Sequence, residues 1–128
     1  GKLMDLQLVK GALADMEIKL NYSAMLVARA AWELDHGNPG YAKHSSIAKL
    51  AATEAAQEIV DAAVQVHGAA GLVADSVPER LYRQVRSLRI YEGASEVQKL
   101  IIADALGRRP HAGRSRAASG RSASRVER

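Results

Sequence analysis

Glu92 is followed by Gly93 at a point where helical spacing breaks, and a carboxylate in such a place can reach into a pocket, as a general base must. An ordinary solvated or capping glutamate has the same local signature, so spacing alone leaves both readings open. Tyr91, beside it, reads either as a pocket wall or as a plain helix-end aromatic. A second candidate is Gln65-Val66-His67-Gly68-Ala69-Ala70-Gly71, which offers backbone N–H and C=O groups with little side chain between them. By itself that run is equally a helix stop. The histidines at 36, 44, 67 and 111 show no ligand spacing and cysteine is absent, so neither a metal site nor a disulfide framework is expected. No Ser-His-Asp arrangement and no phosphate-loop pattern occurs.

The elements that would position these residues read as helices. Leu6, Val9, Leu13, Met16, Leu20, Ala24, Val27, Ala31 and Leu34 recur at spacings of three or four, which predicts one long helix from residue 3 to about 36. Gly11 inside it costs roughly 1 kcal/mol against alanine, which suggests a close neighbour at that point. Gly37-Asn38-Pro39-Gly40 ends the helix. A second helix runs from about Tyr41 or Ala42 to His67 on the series Ile47, Ala51, Ala55, Ile59, Ala62 and Val66. Its alanine-rich flank (Ala48, Ala52, Ala56, Val60, Ala63) suits close helix packing, and Gly68 to Gly71 stop it. Pro78 fits the first turn of a third helix, with Ser76 as its cap and Leu81, Val85 and Leu88 as its apolar edge. Arg80, Arg83, Arg86 and Arg89 follow at intervals of three. A fourth helix starts near Ser95 and carries Val97, Leu100, Ile101, Ala103 and Leu106. Helices with short connections and wide apolar faces predict an all-α, antiparallel four-helix bundle.

At 128 residues the chain has material for one domain and is short for a multi-domain enzyme. Phenylalanine is absent, and the apolar content is mostly alanine, leucine, valine and isoleucine, again favouring packed helices over a sheet. No run of apolar residues is long enough for a membrane span, and Gly1-Lys2-Leu3 does not read as a signal peptide. The net charge of +4 is misleading as an average. Residues 108–128 hold seven of the 18 basic residues and one of the 14 acidic ones, so the tail carries +6 and residues 1–107 carry −2. Arg, Ser, Ala and Gly dominate that tail, which is expected to be disordered, and nucleic-acid binding is not expected of the domain.

Four blocks, in order and spacing, resemble the C-terminal helical domain of the acyl-CoA dehydrogenase family. They are Gly1-Lys2-Leu3 with Leu13-Ala14-Asp15-Met16; Ser46-Ile47-Ala48-Lys49; Gln65 to Gly71; and Arg83 with Ile90-Tyr91-Glu92-Gly93-Ala94-Ser95-Glu96-Val97-Gln98. The resemblance covers residues 1–107, and its last block is the specific one. It implies that Glu92 takes the α-proton of an acyl-CoA thioester while the β-hydrogen leaves as hydride to the N5 of FAD. It further implies that the Glu92 N–H and a flavin ribityl hydroxyl bind the developing enolate oxygen. Gly93 would make room for the substrate and Tyr91 would line its pocket. Gln65, Gly68 and Ala69 would contact the adenosine-diphosphate part of the FAD held by a neighbouring subunit, although the family often has glycine at Ala69. Ala94 stands where the family usually has a threonine that holds the flavin pyrophosphate, leaving Ser95 as the nearest hydroxyl, and Glu96 fills a Glu-or-Gln position. Gln84 replaces the usual aspartate after Arg83.

His67 to Gly71 and Leu81-Tyr82-Arg83-Gln84 are similar to a subgroup whose members resemble the dehydrogenase half of some large multidomain proteins. That subgroup often has Asp-Gly-Pro in place of Glu92-Gly93-Ala94, so the acyl group is not legible. The resemblance also implies partners: an acyl-CoA, further copies of the chain in a dimer or tetramer, electron-transfer flavoprotein, and the remaining dehydrogenase domains in cis or in trans. The expected setting is the bacterial cytoplasm or, in a eukaryote, the mitochondrial matrix. The chain is then a fragment, a subunit completed by another, or a remnant serving only as a helical association domain.

Overall fold

A computed structural model describes residues 1–107 of the chain; the Arg-rich tail expected to be disordered lies outside the described residues. Those residues form helices α1 (Gln7–Asp35), α2 (Tyr41–His67), α3 (Val77–Leu88) and α4 (Ser95–Gly107), with short 3₁₀ turns at Leu3–Asp5 and Gly68–Leu72. The four helices follow the sequence expectation closely at α2, whose stop falls at Gly68 as the Gly-Ala-Ala-Gly run predicts. The first helix differs at its start. Leu6 takes an extended conformation (φ −81°, ψ 128°), so a separate 3₁₀ turn precedes α1 in place of one continuous helix.

The α1–α2 pair is an antiparallel hairpin, and two ion pairs show its register. Lys19 Nζ lies 3.2 Å from Glu58 Oε2, and His44 Nε2 lies 3.4 Å from Glu33 Oε1. Both pairs join residues equidistant along the chain from the Asn38–Pro39 bond, as one uniform antiparallel register requires. Among the described residues, α1, α3 and α4 each pack on α2 and not on one another. The second helix is therefore the hub, which accounts for its composition. Ala48, Ala55 and Val60 are its buried apolar residues, and small side chains let three neighbours approach one axis. No large side chain is fully buried among the described residues. Each buried methyl-sized group contributes only about 0.8 kcal/mol, so this core is thin.

Two apolar stripes face outward instead of inward. On α1 the half-buried residues are Val9, Ala12, Leu13, Met16, Lys19, Ser23, Leu26 and Ala30, with Glu33 buried. The expected stripe is followed only as far as Met16; Leu20, Ala24, Val27, Ala31 and Leu34 are exposed. The helix drifts because its partners on α2 are polar at this end, Glu58 for Lys19 and His44 for Glu33. Leu20, Val27 and Leu34 then form one flank, and Ile18, Met25 and Trp32 the other, all more than half exposed. At 3.6 residues per turn each flank lies about 100° from the inward face. The fourth helix behaves alike: it turns Ser95, Gln98, Ile102 and Ala105 inward and leaves the expected Val97, Leu100, Ile101, Ala103 and Leu106 exposed. Gly11 has nothing within 4 Å of where a Cβ would stand, so the close neighbour inferred for it is not among the described residues. Ser76 occupies the cap position of α3 without a capping bond; its hydroxyl donates weakly to the Gly71 carbonyl at 3.4 Å.

Candidate functional site

The turn from Arg89 to Ser95 carries the candidate base. At its start Ile90 and Tyr91 N–H both donate to the Ser87 carbonyl, at 2.9 and 3.2 Å, closing off α3. At its end Ser95 N–H returns to the Arg89 carbonyl at 3.2 Å. Between them Glu92 sits at φ +54° and Gly93 at φ +88°. The left-handed region costs a side-chain-bearing residue about 1–2 kcal/mol, so something must hold Glu92 there. Glycine at 93 is favoured by its φ, and a Cβ there would also displace the Gln98 carboxamide from the turn.

The turn is held at its carbonyls and its flanks. Lys49 Nζ, from α2, donates to the Gly93 carbonyl at 2.6 Å. Gln98, one turn into α4 and buried, donates its Nε2 to the Gly93 carbonyl at 3.2 Å and to that of Glu92 at 3.3 Å. The Ser95 hydroxyl donates to Glu54 Oε1 at 2.6 Å, while Arg89 Nη2 lies 2.8 Å from Glu54 Oε2. Burial raises the Glu54 pKa, but the hydrogen bonds from Ser95 and Arg89 and the charges of Arg89 and Lys99 outweigh it, holding the carboxyl below the ordinary range. What remains free is the Glu92 side chain, which is exposed, and the Glu92 N–H, which donates to no group of the described residues. Tyr91 is exposed beside it, Ala94 is half-buried, and Glu96 projects from the first turn of α4.

The second group of candidates lies elsewhere. Gln65, Gly68 and Ala69 are all exposed at the far end of α2, where Gly68 N–H closes the helix on the Gln65 carbonyl. Along α2, Gln65 stands about 17 Å beyond Glu54 at 1.5 Å per residue. One chain therefore brings Tyr91, Glu92, Gly93, Ala94 and Glu96 together and keeps Gln65, Gly68 and Ala69 apart from them. Gly68 has open space where a Cβ would be, so its backbone is accessible to a ligand laid across the helix end. A cleft of about 350 Å³ also opens between α2, the 3₁₀ turn and α3, lined by Asp61, Val64, Gly71, Leu72, Glu79, Tyr82 and Arg83. Gly71, the last residue of the Gln65–Gly71 run, lines it, whereas Gln65, Gly68, Ala69, Tyr91, Glu92, Gly93, Ala94 and Glu96 do not. Arg83 pairs within its own helix, Nε to Glu79 Oε1 at 2.7 Å, so Gln84 leaves it with a partner despite replacing an acid.

Sequence reasoning missed Lys49, Glu54, Arg89 and Gln98 as supports of the turn. A signal existed for two of them: Lys49 and Glu54 are charged residues set into the alanine-rich face of α2. Ser95 was read as a substitute for the missing threonine hydroxyl at 94, but its O–H is committed to Glu54. No helix of the described residues is long and apolar enough to cross a membrane, and they contain no cluster of three or more metal-ligating side chains.

Comparison with known proteins bears on the family and the fold. The family model described as "Acyl-CoA dehydrogenase, C-terminal domain" matches residues 1–107. A 3-(aryl)acrylate reductase of Clostridium sporogenes is 47% identical over 100 residues, which is 78% of this chain and 26% of that protein. The mitochondrial short-chain specific acyl-CoA dehydrogenase of Rattus norvegicus is 45% identical over 101 residues, 79% of this chain and 24% of that protein. A solved structure described as the FAD complex of PigA superposes with a TM-score of 0.77 at 28% identity, covering 81% of this chain and 27% of that one. The chain thus spans about a quarter of the length of the relatives it matches. It belongs to the acyl-CoA dehydrogenase family, as a copy of that family's C-terminal helical domain.

Proposed function

We propose that this chain supplies the proton-abstracting half of an FAD-dependent acyl-CoA dehydrogenase site, with Glu92 as the base. The observation that carries the reading is the left-handed Glu92: its backbone is braced on both sides while its carboxylate and its N–H have no partners among the described residues. A strained residue held by its surroundings, with its reactive groups free, is the arrangement expected of a preorganised site. The carboxylate would accept the α-proton of an acyl-CoA thioester. The N–H beside it would donate to the thioester oxygen as negative charge develops there. Gly93 and Ala94 keep side-chain bulk away from the approaching acyl group, and Tyr91 flanks it.

FAD, when bound, supplies the acceptor for the β-hydrogen. The donor set fits such a group. Exposed Gln65, Gly68 and Ala69 offer a carboxamide and an unobstructed backbone edge to an adenosine-diphosphate moiety. Their separation from Glu92 supports the reading that they serve the flavin of a neighbouring copy, whereas Ala94 and Glu96 would face that of their own site. Ala94 brings no hydroxyl, so the pyrophosphate is held less firmly here than by the threonine usual in the family. The rest of the flavin and CoA cradle would come from the remaining dehydrogenase domains, in cis or in trans, and electron-transfer flavoprotein would be the electron acceptor.

The test is an assembled, flavin-loaded enzyme carrying this chain, given butyryl-CoA while flavin bleaching is followed. Glu92→Gln should abolish bleaching with flavin still bound; bleaching at the original rate would rule Glu92 out.

A second reading rests on the two exposed flanks of α1, Ile18/Met25/Trp32 and Leu20/Val27/Leu34. Contiguous apolar surface of this kind marks a protein interface. It supports association of the chain into a dimer or tetramer, with or without catalysis. Sedimentation of the purified chain tests it: a monomer at micromolar concentration would sink it.

A further inference from the structure

One side chain of α2 reaches both ends of the turn that carries Glu92. Glu54 Oε1 accepts the Ser95 hydroxyl at 2.6 Å just after the turn, and its Oε2 meets Arg89 Nη2 at 2.8 Å just before it. Lys49, on the same helix, donates to the Gly93 carbonyl at 2.6 Å in the middle. These contacts span 35, 41 and 44 residues of sequence, so they are features of the tertiary fold and not of the turn itself. Simple attachment of α4 to α2 would be served by contacts anywhere along α4. Instead, every polar side-chain contact from α2 to the α3–α4 region, among the described residues, falls on Arg89, Gly93 or Ser95. None involves the Glu92 carboxylate.

We propose that Glu54 and Lys49 are positioning residues for α-proton transfer: together they fix the Arg89–Ser95 backbone so that the Glu92 carboxylate and N–H are presented to one substrate. The inference rests on Glu92 being the base. Both side chains are committed to the turn and not to the open face of Glu92. Their loss therefore misplaces the base without removing the binding surface, and the effect falls on kcat in preference to KM.

The experiment uses the assembled, flavin-loaded enzyme with Glu54→Ala, Glu54→Gln and Lys49→Met, and Glu92→Gln alongside. The readouts are kcat, KM, flavin per chain, and washout of deuterium from the α-carbon of labelled butyryl-CoA. In Glu54→Ala and Lys49→Met, kcat and washout should fall about 10- to 100-fold, with KM and flavin content within about twofold of the parent. Glu54→Gln keeps the shape and one of the two contacts, and should fall between them and the parent. Unchanged washout in Lys49→Met and Glu54→Ala, with washout lost in Glu92→Gln, would overturn the positioning role alone. Washout retained in Glu92→Gln would remove the base assignment and the positioning role with it. A fall in kcat matched by loss of flavin would show a merely structural role. Should Glu54→Ala not fold, Lys49→Met decides, because it removes one contact to one carbonyl. In the full chain, its Glu92 three-bond HN–Hα coupling and Cα shift should also leave their left-handed values; unmoved values would overturn the proposal.

Discussion

The α1–α2 and α3–α4 turns use the same device and arrive at opposite results. At the α1–α2 turn, Glu33 accepts Asn38 Nδ2 at 2.8 Å and Arg29 Nη2 at 3.2 Å, and has His44 at 3.4 Å. At the α3–α4 turn, Glu54 accepts Ser95 and pairs with Arg89. Each carboxylate ties together the two sides of a chain reversal. The first acid belongs to the flank of its own turn and is itself buried, at 7% exposure, so no reactive group is left over. The second is brought in from α2, which frees the turn's own glutamate to face outward. A turn that must present a functional side chain has to be held by residues from elsewhere, whereas a purely structural turn can hold itself.

Exchanging Glu92, the acid that the second turn leaves free, for its amide should break the comparison most sharply. Glu92→Gln is expected to lower turnover of the assembled enzyme by about 10²–10⁴-fold while leaving the melting temperature of the chain unchanged, since the side chain is exposed. An equal loss of stability would mean that Glu92 is structural after all. The glycines come next. Gly93→Ala should destabilise by about 1–3 kcal/mol, because the left-handed φ and the collision with Gln98 act together. Gly37→Ala, at φ +63° with nothing within 4 Å, should cost only about 1 kcal/mol. Chemical denaturation reads both, and equal losses would show that the Gln98 contact yields freely.

The pH dependence of the hinge is a smaller effect. The bond from Asn38 lowers the Glu33 pKa most; burial opposes it, and Arg29 and the charge of His44 add to the lowering. A depressed folded-state pKa gives stability that is present above the unfolded value and lost as pH falls through the folded one. Glu33→Gln should therefore lower the melting temperature at pH 7, and the difference from the parent should shrink below about pH 4. A gap that persists at low pH would assign the loss to packing instead of charge. Least of all should follow from Lys19→Met. Its pair with Glu58 is solvent-exposed on the glutamate side, and removing it should cost less than about 0.5 kcal/mol in a thermal melt.

What was legible in the sequence was local. Gly37–Gly40, Gly68 and the Glu92–Gly93 break end or separate helices through backbone effects confined to a few neighbouring residues, and the structure ends or breaks its helices there. Which face of a helix turns inward depends on the neighbour. The α1 stripe was misread beyond Met16 because α2 offers Glu58 and His44, so Lys19 and Glu33 turn inward in place of Leu20 and Leu34. The inward face of α4 is likewise set by Glu54, which draws in Ser95. For the site, the local motif identified Glu92 and Gly93. Lys49 and Glu54 reach it from 44 and 41 residues away, a separation at which periodicity carries no information.

The hub arrangement has a consequence for how tolerance to substitution is distributed. Helices α1, α3 and α4 meet only through α2 among the described residues, so changes on the outer surface of α1, which faces away from α2, do not touch the Arg89–Ser95 turn. Their free-energy effects should add, with coupling below about 0.5 kcal/mol in a double-mutant cycle. Surfaces on α1 can thus diverge to suit different partners without disturbing the chemistry at Glu92. The second helix has no such freedom: each of its faces answers to a different neighbour, and its run of alanines is where sequence drift is most constrained.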